Sequence, residues 1–152
     1  MTRLKTAVLG LLLLLLALGS ALAGLVRGNP TITPASLEAT PSELPFTGGQ
    51  VTITAEIVPA TTSSGGCACP SSEAVPIAEA WVTVSPAAIP RTAMTAGEGN
   101  TWQAQITLPG NATAADVLYT LTVRATDSNS QTATPESTSV TVHSATPPPA
   151  EP

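Results

Sequence analysis

Val51-Thr52-Ile53-Thr54-Ala55-Glu56-Ile57 puts every apolar side chain on one face of an extended chain and every polar one on the other. Successive side chains of a strand point to opposite faces, whereas apolar positions on a helix recur every three or four residues. The stretch therefore predicts a half-buried strand, and the same period returns downstream. Ala80, Val82 and Val84 share a face; Trp102, Ala104, Ile106 and Leu108 oppose Gln103, Gln105 and Thr107. Tyr119, Leu121, Val123 and Ala125 are set against Thr120, Thr122, Arg124 and Thr126, and Val140 with Val142 closes the series. Two weaker strands are expected at Ser36 to Thr40, with Leu37 and Ala39 inward, and around Thr92 to Thr95. About seven short antiparallel strands separated by turn residues predict an all-β chain, built as two sheets packed face to face in a Greek-key sandwich.

The connections fit that count. Thr47-Gly48-Gly49, Gly97-Glu98-Gly99-Asn100, Pro109-Gly110-Asn111 and Asp127-Ser128-Asn129-Ser130 all offer residues suited to tight turns or positive φ. The segment from Pro59 to Pro76 is long for a sandwich loop, is rich in Ser and Gly, and holds both cysteines. Residues 24–34 read as a linker, 35–143 as the sandwich and 144–152, with Pro147-Pro148-Pro149, as an extended proline-rich tail. Charged residues make up only 10% of the chain, a fraction compatible with disorder, but a disordered segment has no reason to alternate apolar with polar residues.

Residues 1–23 have the layout of a secretory signal. Arg3 and Lys5 precede an apolar run from Ala7 through Leu18, and Ala21-Leu22-Ala23 supplies a small-residue exit with cleavage between Ala23 and Gly24. The alternative is a retained anchor over residues 7–26, which approaches the ~20 apolar residues that cross a bilayer. Either way the expected location is extracytoplasmic, whether secreted, periplasmic or at the cell surface. A cysteine does not follow the apolar run, which argues against a lipoprotein.

Beyond residue 23 the cations are Arg27, Arg91 and Arg124, without a single lysine, against ten acids. So acidic a surface opposes nucleic acid and anionic membrane as partners, since both require clustered Lys and Arg. Membrane contact is expected only through the N-terminal segment.

The strands Gly49 to Ile57, Ala80 to Val84, Asn100 to Ile106 and Tyr119 to Asp127 together resemble the immunoglobulin-like repeats of bacterial surface and secreted proteins, which are similar to fibronectin type III and cadherin-like sandwiches. The resemblance spans residues 35–143. It implies a structural, adhesive or spacer module that contacts a protein or glycan at the cell surface, with no cofactor. This chain carries one copy where such repeats usually stand in arrays, and its two cysteines share one loop instead of bridging sheets. Asp127 and Asn129 resemble the acidic turns of calcium-binding cadherin repeats, but the remaining ligand motifs are absent and a hard cation takes six to eight oxygens. Tyr119, after Asp116, resembles the tyrosine corner of Greek-key sandwiches.

Cys67-Ala68-Cys69 is the sharpest chemical feature. In an oxidising compartment it reads as a strained local disulfide, as pairing between chains, or as a small redox or soft-metal site, for which zinc would require two more ligands. His143 ends the last strand and is expected to be solvated; a blue-copper site needs a second histidine. One histidine and scattered carboxylates form no nucleophile and base pair by spacing, so an enzyme is not expected. Trp102 has inward parity and should anchor the core. Trp81 falls on the face of Glu79 and Thr83, either as a contact for a protein or sugar or as a ring covered by a neighbouring strand. Asn111-Ala112-Thr113 matches a glycosylation sequon. Thr-rich strand edges leave self-association by strand addition open.

Overall fold

The computed structural model describes residues 25–64 and 72–145. Their strands, in chain order, are β1 (Leu25–Arg27), β2 (Thr31–Ile32), β3 (Glu38–Thr40), β4 (Glu43–Leu44), β5 (Gly49–Val58), β6 (Thr61–Ser64) and β7 (Ser72–Ala74), then β8 (Ile77–Ser85), β9 (Thr92–Ala93), β10 (Thr95–Ala96), β11 (Thr101–Leu108), β12 (Val117–Asp127) and β13 (Glu136–Val142). They fall into two units. The smaller is a three-stranded antiparallel sheet in the order β1-β6-β7. The larger holds the remaining strands in two five-stranded sheets. One has the order β10-β11-β5-β2 with β3 also paired to β5; the other runs β4-β13-β12-β8-β9.

The described residues are all-β, and the alternation in sequence is the alternation in burial. Val51, Ile53, Ala55 and Ile57 of β5 face inward, as do Ala80 and Val82 of β8, Ala104, Ile106 and Leu108 of β11, Tyr119 to Ala125 on alternate positions of β12, and Val140 and Val142 of β13. These side chains form one hydrophobic cluster fed by both sheets, the sandwich-like arrangement that two half-apolar sheets require. Trp102 and Val84 pack on the rim of this cluster and remain partly exposed, so Trp102 flanks the core rather than anchoring it.

Strand count and direction depart from the expectation of seven antiparallel strands: the described residues hold thirteen strand segments, and β4 runs parallel to β13. Two expected strands lie where the chain changes sheets. The first begins with a 3-10 turn at Pro34–Ser36, continues as β3 against β5, and passes through Pro41 to β4 against β13. Proline has no N–H to offer a ladder, which makes Pro41 a natural break. The second, expected over Thr92 to Thr95, splits at buried Met94: β9 pairs with β8, the Met94 N–H still reaches the Ala80 carbonyl at 2.9 Å, and β10 has already moved to β11. Short strands also occupy stretches read as linker or loop, namely β1, β2, β6 and β7.

The turn before β5 and the turn after β11 touch. The Gly48 N–H donates to the Pro45 carbonyl and the Asn111 N–H to that of Phe46. Gly48 has φ of 72°, and a Cβ there would lie 2.4 Å from the Leu108 carbonyl oxygen; one on Gly110 would lie 2.9 Å from that of Phe46. Both glycines are required, by conformation at the first and by close backbone approach at both. Gly48→Ala is therefore expected to destabilise the fold by at least about 1–3 kcal/mol, read as a lowered urea midpoint at unchanged slope.

Candidate functional site

The described polar groups with the geometry of a site gather in three places. The first is the outward face of β8. Trp81 stands opposite Arg124 on β12 and Ala93 on β9. The guanidinium of Arg91 lies 4.4 Å from the ring centroid and also pairs with the Glu79 carboxylate, so a cation held from two sides covers the indole. Trp81 is half-buried as a result, and the neighbouring strand that shields it is β9 with its leading arginine. Arg124 is exposed and forms no ion pair among the described residues.

The second place is the end of the sandwich where β13 finishes. Parallel pairing of β4 with β13 brings Glu43 beside His143, two residues far apart in sequence. His143 Nδ1 lies 3.1 Å from Asp116 Oδ2, its Nε2 lies 3.5 Å from Glu43 Oε2, and Asp116 Oδ1 accepts the Ser144 N–H at 2.7 Å. The imidazole is exposed, as expected, and it also bridges two carboxylates. They sit at opposite ring nitrogens, so they cannot converge on one metal ion, and among the described residues no three His, Cys, Asp or Glu side chains do.

Asn111 closes the same end. Its side chain is buried, Nδ2 points at the carbonyls of Ala115, Val142 and His143 at 2.7, 3.2 and 3.2 Å, and Oδ1 accepts from the N–H and hydroxyl of Thr113. The sequon is thus a latch between the β11–β12 connection and the last strand. The nitrogen that would carry a glycan is committed to backbone, so the folded chain does not present it. By contrast, Tyr119 is buried at the start of β12 but its hydroxyl makes no hydrogen bond among the described residues, so the tyrosine corner is not formed as that resemblance implied. The corner is held by Asn111 instead.

The third place is the turn after β12. Asp127 is buried, and its Oδ1 accepts the N–H groups of Asn129 and Gln131 at 2.9 and 2.8 Å. Ser130, with φ of 63°, completes the reversal by donating its N–H to the Asp127 carbonyl. The Asp127 carboxylate organises a turn, the ordinary use of Asp there; Oδ2 is buried and has no hydrogen-bond partner among the described residues. Cys67 and Cys69, and the cleavage site at Ala23 and Gly24, lie outside the described residues.

The sequence singled out Trp81, His143, Asn111 with Thr113 and Asp127 with Asn129, but it did not pair Arg91 with Trp81 or Glu43 and Asp116 with His143. Asn-x-Thr and Asp-x-Asn are legible as side-chain-capped turns as well as ligand motifs. Glu43 and Arg91 carry no local signal, because the pairing of β4 with β13 and of β9 with β8 brings them to their partners. No protein-family model matches the chain, and no curated protein matches it.

The bridge at His143 predicts a pH dependence. The Ser144 N–H and then His143 hold the Asp116 carboxyl below its ordinary value of 3.8, while the hydrogen bond to Asp116, aided by Glu43, lifts His143 above its ordinary 6.5. A raised histidine contributes fully below 6.5 and loses its contribution as pH climbs through the raised value; a lowered aspartate contributes fully above 3.8 and loses it as pH falls through the lowered value. Both are complete between those two ordinary values, and both are small because the groups are exposed. His143 is the sole histidine, so its ring resonances report the bridge directly. Asp116→Asn is expected to lower its NMR titration midpoint toward 6.5. A second substitution tests the latch. Asn111→Asp turns a carboxylate toward three carbonyl oxygens and is expected to cost about 2–4 kcal/mol in urea unfolding.

Proposed function

We propose that the chain is an exported, non-enzymatic immunoglobulin-like module, a single Greek-key sandwich that acts as a structural, adhesive or protein-binding element at the cell envelope or outside the cell. The observation that carries the non-enzymatic part is how its polar side chains are used. Asn111, Asp127 and the Asp116–His143–Glu43 bridge all engage turn backbone or one another, and each explains a local shape. The division of the first strand between sheets, antiparallel to β5 and then parallel to β13, supports the immunoglobulin-like reading. Export rests on the charged, apolar and small-residue order of residues 1–23.

Contact is proposed through the outward face around Trp81, where both arginines of the larger unit flank one indole on an otherwise acidic protein. Aromatic and arginine side chains are the groups that dominate binding surfaces. Two measurements test the reading. Intact mass of protein from an exporting bacterial host should give a chain that begins at Gly24 in an extracytoplasmic fraction. Saturable retention of that chain on isolated cell envelopes should fall about tenfold in Trp81→Ala, with the unfolding midpoint reported alongside. A cytoplasmic chain retaining Met1 would overturn export; turnover in a hydrolase screen that is lost on mutating a carboxylate would overturn the non-enzymatic assignment.

A further inference from the structure

The end of the sandwich where β13 finishes also carries a groove. β4 and β13 run parallel, with Glu43 beside Thr141 and Leu44 beside Val142, and the His143 N–H donates to the Leu44 carbonyl at 3.0 Å. Both segments therefore leave the pairing in the same direction. Phe46 and Thr47 follow on one side and Ala145 on the other, its N–H 3.4 Å from the Thr113 carbonyl. With Gly110, Asn111 and Ala112 they enclose a groove of about 400 Å³.

Its walls are uncharged and mostly apolar, and their backbone is fixed. Phe46, the sole phenylalanine of the sequence, is 51% exposed along it. The Phe46 carbonyl accepts the Asn111 N–H at 2.7 Å, and Gly110 lets the two turns approach so closely that a Cβ would lie 2.9 Å from that oxygen. The wall that carries the ring is thus held in place before anything binds. A single exposed apolar side chain on a sheet, such as Leu118 on β12, needs no explanation; an aromatic ring that lines a preformed apolar groove has the layout that receives proline-rich segments. The residues next in sequence, Thr146-Pro147-Pro148-Pro149, lie outside the described residues. Thr146 alone separates Ala145 from the first proline.

We propose that this groove is the seat of the chain's own proline-rich segment, with Pro147 to Pro149 packed across the Phe46 ring. Consecutive prolines favour an extended left-handed helix that advances about 3 Å per residue and has little freedom to lose on docking. Aromatic-lined grooves take such segments by ring contact, which suits walls without charge. The occupant follows from connectivity. Ala145 is itself a wall of the groove, and so short a tether holds the prolines at an effective concentration on the order of millimolar. A contact too weak to capture a separate peptide is populated under that condition. The docking uses neither Trp81 nor either arginine, so it can fail or hold without the envelope contact.

Nuclear Overhauser spectra of the whole chain test it, because a sole phenylalanine makes its ring protons unambiguous. Cross-peaks are expected from the Phe46 ring to the δ protons of Pro147 to Pro149, which the ring current also shifts upfield. Phe46→Ala should abolish that shift; Leu118→Ala, which removes another exposed apolar side chain, should leave it. Pro147→Ser, Pro148→Ser and Pro149→Ser together keep every described residue and should increase the broadening of the Phe46 ring by a soluble nitroxide. That variant decides the matter if Phe46→Ala fails to fold. Absence of the cross-peaks overturns the proposal, as does a ring equally broadened with and without the prolines. So do cross-peaks that arise only between labelled and unlabelled chains in a mixed sample, since they would put the segment on a second copy.

Discussion

The larger unit depends on period-two burial. β5, β8, β11, β12 and β13 each turn alternate side chains into one cluster, and a slip of one residue in any of them would send its apolar set to solvent. Register is therefore strongly specified along the long strands. It is weakest where strands are only two residues long, at β2, β4, β9 and β10, and there prolines, turns and hydrogen bonds from single side chains define the path.

Those side chains explain why polar groups are buried in so apolar a body. Asn111 and Asp127 sit at the ends of the sandwich, where backbone leaves one ladder before it can join another. Such groups cost free energy if left unpaired. The two N–H groups of the Asn111 amide are shared among the carbonyls of Ala115, Val142 and His143, and the Asp127 carboxylate satisfies the amides of Asn129 and Gln131. The same physical demand that would build a binding site has here built turns. The sequon and the acidic turn acquire a structural explanation from it.

What is left for function is surface. Both arginines of the larger unit lie beside Trp81, one stacked on the ring and one across the strand pair, while the rest of the unit is acidic or neutral. Arg91 and β9 reach Trp81 through antiparallel pairing with β8 in the same sheet, and the chain changes sheets only after that, at Met94.

The sequence by itself determined the all-β class, the inward face of every long strand and the main turns, because alternation, glycine and proline act over a few residues and need no distant partner. It also marked Asn111, Asp127, Trp81 and His143 as positions of interest. Only the tertiary structure decided what they do. Glu43 meets His143 through the parallel pairing of β4 with β13, and Arg91 reaches Trp81 through the short strand β9. The division of two strands between sheets was equally hidden, since Pro41 and Met94 signal a break but not which sheet the chain joins next. That choice is made by packing across the whole core, which no local pattern encodes.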